Sequence, residues 1–330
     1  MRRLLVILAA VVTPSGVLAA DPAKPGTLHV TTDADAWKQL PRKNPPLPVW
    51  ARTLVGPLPK TTAAMLELDR LHRDGNPLGA VLAAKLRWAA ADAIGCEYAR
   101  KSAEFDLKRA KVPQPDVEAF VAGKDKPTDD ERRLLKLARK LTTAAYQVTD
   151  AEFAAVLADI GPEKAMAVVH TVAYCNFHYR ILLALGVEVE PNGPLPPPDV
   201  AFDTDPKGPM PAPARVEWAT LKDKPQPSVP EKFTWTDYGG SLDETASVEA
   251  QKERKSRIPF PEKWRLDRLT GDARRMADSI LWNTVSAAYQ PELTNAWFVC
   301  LRAFQAEAKL DRVAGNSLFW VVTRSNECFY

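Results

Sequence analysis

The sequence predicts an all-α fold, and three observations carry that prediction. Apolar residues recur at three- and four-residue spacing through the long segments, and no alternating run bounded by turn residues interrupts the first half. Helix starts and stops are written out. Thr128 with Glu131 and Thr149 with Glu152 have the spacing of capping boxes, while Gly161-Pro162 and Gly186 mark ends. The third observation is an internal repeat. Pro59–Tyr98 shifted by 232 positions falls on Pro291–Tyr330 without a gap, with ten identities in forty positions. Leu86, Trp88, Cys96 and Tyr98 meet Leu318, Trp320, Cys328 and Tyr330, and further back Trp50 meets Trp282. A helical unit carrying a cysteine at one fixed place is duplicated.

Length and composition agree with this. A chain of 330 residues, 46% hydrophobic and 26% charged, is globular and long enough for two cores. The formal charge of +3 falls to about +1 without Arg2 and Arg3. No basic run points to nucleic acid or an anionic membrane surface.

In chain order, residues 1–20 read as a secretory signal peptide: Arg2 and Arg3 precede the apolar run Leu4–Val12, with small residues at Ala19 and Ala20. Export to the periplasm or the extracellular space is expected, with no membrane association once the signal is removed. Residues 21–44 are rich in proline and polar groups and read as an extended arm. The first helical domain is placed at 45–190. It opens with a helix around Thr61–Leu71, then turns at Gly75-Asn76-Pro77. Leu78–Lys111 reads as one long helix, with Leu82, Leu86, Ala89, Ala93 and Cys96 on one face. Helices then start at Thr128 and Thr149 and run again from Glu163 to Leu185. Residues 191–256 form a linker in which Pro191–Pro230 holds twelve of the 29 prolines. Asp243–Lys255 inside it reads as a short exposed helix. Helical periodicity returns over 257–330, an incomplete second domain: Tyr330 stands where the first copy still has helix to run.

Four cysteines follow the leader: Cys96, Cys175, Cys300 and Cys328. An even count on an exported chain invites disulfides. Their apolar, helical contexts favour free thiols acting as small hydrophobes.

The series Cys96-Glu97-Tyr98, Asp130-Glu131-Arg132, Ala138–Thr142, Val148-Thr149-Asp150 and Val172–Arg180 running into Leu185-Gly186-Val187 resembles the carboxymuconolactone decarboxylase-like and alkylhydroperoxidase D-like superfamily, above all its peroxidase-related branch. The resemblance covers 45–190 and, as a cut-off copy, 257–330. It implies two such helical units packed as a pseudo-dimer, or a homo-oligomer. It implies thiol peroxidase chemistry, with a peroxide substrate, a dithiol reductant and no cofactor or metal. The family motif is Asn-x-Cys-x-x-Cys-x-x-x-His. Two thiols a helical turn apart near a helix start favour thiolate, and a histidine on the same face moves the proton.

Matched residue by residue, Cys96 fits the first, resolving cysteine, but Ala99 and Ala103 stand where the second cysteine and the histidine belong, and Ala84 replaces the upstream acid. The first copy is therefore expected to be silent, with Cys96 a relic. Cys328, preceded by Asn326, fits the first cysteine of the second copy, and the positions of its partners fall beyond Tyr330. A structural or interaction protein on the same fold is the alternative. A lactone decarboxylase shares the superfamily name but matches the cysteine pattern less well.

Other candidates have plainer readings. Cys175 and His178 lack the further ligands that zinc needs and read as packing. His170, Asn176 and Arg180 are expected to tie helices together, and His72 to be an exposed residue at a helix end. Trp88 and Trp320 are expected to share one environment as core anchors. Trp218, Trp235 and Trp264 are not grouped as a sugar-stacking platform would be. No phosphate loop, nucleophilic serine elbow or haem-attachment motif is present.

Overall fold

The computed structural model describes residues 29–40, 46–198, 256–277 and 281–325. Within them the fold is all-α, with no strand. The proposed signal peptide, most of the linker with its Asp243–Lys255 segment, and Cys328 lie outside the described residues.

The arm is not wholly extended. Helix α1 (Asp33–Gln39) forms inside it, because Thr32 caps the Asp35 N–H and two aspartates favour the positive end of the dipole. Helices α2 (Val49–Leu54) and α3 (Pro59–Arg73) follow. The long helix expected over Leu78–Lys111 is two helices, α4 (Ala80–Ala93) and α5 (Glu97–Arg109). The break has a local cause at Gly95, whose φ of 71° only glycine adopts without cost. Its N–H bonds Asp92 O at 3.2 Å and the Cys96 N–H bonds Ala91 O at 2.9 Å, the two hydrogen bonds of a Schellman stop.

After α6 (Gln114–Val121), α7 (Asp129–Thr143) starts at Thr128, whose hydroxyl accepts the Glu131 N–H. The reciprocal half of that capping box is missing, since Glu131 turns to Lys85 instead. The box at Thr149 and Glu152 is complete and opens α8 (Asp150–Leu185). This helix kinks at Gly161 (φ 74°), before Pro162, and stops at left-handed Gly186. Beyond the linker come α9 (Lys263–Asp267), α10 (Gly271–Ala277), α11 (Leu281–Tyr289), α12 (Pro291–Glu307) and α13 (Arg312–Ser325).

The repeat is visible in the backbone. A shift of 232 carries α4 onto α13 end for end, and α3 onto α12 from the same starting residue. Both α3 and α12 begin with proline, after caps of nearly identical conformation: Leu58 at φ −138°, ψ 61° and Gln290 at φ −137°, ψ 66°. These equivalent helices lie against each other. Glu307, at the end of α12, accepts the Lys60 and Thr61 N–H groups of α3 at 2.8 Å each. At the other end, Glu292 in the first turn of α12 faces Arg70 in the last turn of α3. The pairing is therefore antiparallel, and each helix start meets the other's end. Val299, Cys300 and Ala303 of α12 join the core formed by α1 to α5 and α8, so a single apolar cluster spans the repeat.

The two tryptophans do not share an environment. Trp88 is 7% exposed against Phe120, with Arg139 over its ring, whereas Trp320 is 45% exposed. Residues of α5, α6 and α7 cover Trp88, among them Ala103, Phe120 and Arg139.

Candidate functional site

The first motif position is a turn built to present a side chain at a helix start. Cys96 is the N-cap of α5, without a side-chain capping hydrogen bond. That placement favours thiolate, but burial opposes it and wins. The residue is 1% exposed, and burial raises the thiol above its ordinary value against the smaller pull of the Ala99 N–H and Arg100. Cys175 and Cys300 are buried as well, and burial pushes both up to about 12. All three are free thiols. Ala84, Ala99 and Ala103, which the resemblance aligns with an acid, a cysteine and a histidine, are buried methyl groups. Ala84 and Ala103 pack with Trp88 and Leu107 in one apolar cluster.

A buried polar network lies beside Ala99, and sequence reasoning did not anticipate most of it. Asp106 of α5 accepts Arg73 Nε at 2.7 Å and Nη2 at 3.0 Å, and Arg87 Nη1 at 2.7 Å. Arg73 also reaches Asp69 at 3.1 Å and the Leu195 carbonyl at 2.9 Å. Two guanidiniums and two carboxylates thus share one interior with no net charge. Burial alone would raise the Asp106 carboxyl, yet Arg73 and Arg87 hold it far below the usual range. Asp69 is lowered in the same way: burial raises it, and Arg73, His178 and Arg87 together more than reverse that.

Tyr174 links this network to the histidines. Its hydroxyl donates to Asp69 at 2.6 Å and meets His178 Nδ1 at 2.9 Å. His178 stands edge-on to Trp50, with ring centres 4.7 Å apart. His72 is buried and stacks flat on Tyr174 at 4.4 Å, which corrects the expectation of an exposed residue. One residue before the end of α3, it turns inward toward Tyr174 of α8. Burial holds His72 well below its ordinary pKa and lowers His178 to about 4 despite Asp69. Nearby, Glu190 accepts the Tyr98 hydroxyl at 2.7 Å and the Val49 N–H at 3.0 Å, fastening the stretch after α8 to α2 and α5.

Other sequence candidates are structural ties. His170 Nε2 pairs with Ser286 at 2.7 Å and Thr294 at 3.3 Å, joining α8 to α11 and α12. Burial lowers its pKa to about 4. Asn176 donates to Leu141 O, and Arg180 to Thr142 O, from α8 to α7. Cys175 and His178 are core residues, and no metal-binding cluster occurs among the described residues. Trp264 stacks with Arg265 and Arg268 and joins no other tryptophan among the described residues, which leave out Trp218 and Trp235.

The missed residues left one signal. Arg87 interrupts the alanine-rich stretch Ala83–Ala93, and Asp69 and Arg73 stand four apart on the otherwise apolar face of α3. An unexplained charge on a buried face implies a buried partner.

Comparison with known proteins found no match: no family model, no curated protein and no solved structure is similar to the chain.

Proposed function

We propose that the chain is an exported carboxymuconolactone decarboxylase-like protein with thiol peroxidase chemistry, carried by the second repeat at Cys328 over an inert first repeat. One observation carries this reading. The α4 and α13 helices have the same bounds under the 232-residue shift, and Cys328 follows Ser325 by the three residues that separate Cys96 from Ala93. Cys96 occupies the N-cap of α5 after the stop at Gly95, and Cys328 holds the matching sequence position, with Glu327 in place of that glycine. At such a place the helix dipole favours thiolate. In the cycle the resemblance implies, the thiolate of the motif's second cysteine attacks the peroxide O–O bond, forming sulfenic acid and releasing water or an alcohol. Cys328, at the first, resolving position, then condenses with the sulfenic acid, releasing water, and a dithiol reductant reduces the disulfide.

The alternative is a scaffold without chemistry, supported by three buried, protonated thiols and by alanine at each matched motif position of the first repeat. Hydrogen peroxide consumption by the full chain with dithiothreitol separates the two. The peroxidase reading expects Cys328→Ser to abolish turnover and Cys96→Ser to leave it unchanged. Equal loss from both variants defeats the division of labour between repeats, and no consumption in any variant leaves the scaffold.

A further inference from the structure

Beside Ala99 lies a cavity of about 10 Å³, bounded also by Trp50, Arg87, Ser102, His178 and Tyr179. One water needs about 10–15 Å³, so the space suits a single small molecule and excludes an organic substrate. Its walls are polar in a specific way. Arg87 Nε, His178 Nε2 and the Tyr179 hydroxyl are all buried, and none makes a hydrogen bond of ordinary geometry. The Tyr179 hydroxyl lies between the Cys175 thiol and the Arg87 guanidinium. Leaving such groups unmatched in a core costs about 1–3 kcal/mol each.

The hydrogen-bond chain behind the cavity fixes which groups donate. Asp69 is an ionised carboxylate paired with Arg73 and can only accept. Tyr174 gives it the hydroxyl proton at 2.6 Å, so the same oxygen can only accept from His178, at 2.9 Å. The His178 proton is therefore on Nδ1, and Nε2 carries a lone pair. Arg87 Nε–H, by contrast, can only donate. A ligand here must accept on one side and donate on the other. An anion would face the Nε2 lone pair, and a cation would face Arg87.

We propose that this cavity is a built site for one small neutral hydroxylic molecule, water in the resting protein, which accepts from Arg87 Nε–H and donates to His178 Nε2. The Asp69–Tyr174–His178 chain orients that lone pair, which makes Asp69 and Tyr174 positioning residues for the site. The inference is independent of the peroxidase reading, because it uses neither Cys328 nor peroxide turnover.

High-resolution diffraction from the full chain, joined to nitrogen-15 spectra of the histidine rings, tests it. A single solvent peak within about 3.2 Å of both Arg87 Nε and His178 Nε2 is expected. The spectra should show His178 protonated on Nδ1 from neutral pH down to about pH 5. His178→Phe should lose the peak; should that variant fail to fold, the two measurements on the unaltered protein still decide. An empty cavity, or a His178 proton on Nε2, overturns the proposal.

Discussion

Asp106→Asn tests whether the buried network holds the first repeat together. The carboxylate of Asp106 receives Arg73 twice, Arg87 once and Arg109 Nε at 3.3 Å, all in an interior where Asp106 is 4% exposed. An amide keeps the shape but leaves two guanidiniums facing one remaining carboxylate, and turns an N–H₂ toward donors. Removing one partner of a buried ion pair costs about 3–5 kcal/mol. Asp150→Asn is the control: its bond to Arg257 lies at the surface, where such pairs contribute about 0–1 kcal/mol. Urea unfolding followed by circular dichroism reads both. The linkage has a definite sign. The folded Asp106 carboxyl lies below its unfolded value near ~3.9, so its stabilisation is complete above that pH and is lost as pH falls toward the folded value. Wild-type stability should therefore decline below about pH 4, and Asp106→Asn should show a shallower decline. Equal costs for Asp106→Asn and Asp150→Asn, or identical acid limbs, would refute the reasoning.

Three further outcomes are expected. Glu307→Gln weakens the cap that α12 places on the start of α3 and should cost about 0.5–2 kcal/mol by the same unfolding assay, with faster amide exchange at Lys60 and Thr61. Gly95→Ala forces a side chain into a left-handed position with open space around it, so strain alone sets the loss, about 1–2 kcal/mol. Cys96, Cys175 and Cys300 should react with a thiol reagent at neutral pH only when the protein unfolds; rapid labelling of these three in the native state would contradict their burial.

How much was legible in the sequence follows from how local each feature is. Capping and stopping signals act within one turn, so Thr149, Gly161 and Gly186 announce themselves. The α4–α5 break is hidden in the sequence because Cys96 keeps the apolar spacing of α4, and that periodicity outweighs the lone Gly95. In the site, Cys96, Cys175 and His178 were legible as buried positions. The ion network was not, because Arg73, Arg87 and Asp106 come from three helices and meet only once those helices pack. His72 was misjudged for a related reason. Its neighbours Leu71 and Arg73 suggest a helix end in water, whereas the stacking ring of Tyr174 arrives from a hundred residues away.

The divergence of the repeat is itself a physical statement about packing. Ala89 and Ala90 on α4 are buried under neighbouring helices, and Arg87 meets Asp106 there. Their counterparts on α13 are Val321, Val322 and Phe319, which are exposed, Phe319 to 69%. Small residues let neighbouring helix backbones approach closely, and larger ones hold them apart. Whatever packs on α13 therefore cannot reproduce the contacts made by α4, even where Leu86, Trp88 and Cys96 are repeated as Leu318, Trp320 and Cys328. Nor can an Arg87-type pair form there, since phenylalanine offers no charge to a buried carboxylate. The helix bounds of α4 and α13 and one cysteine position recur under the shift, but the side chains around them differ. Chemistry inferred for Cys328 must consequently be tested at Cys328, and cannot be borrowed from the behaviour of Cys96.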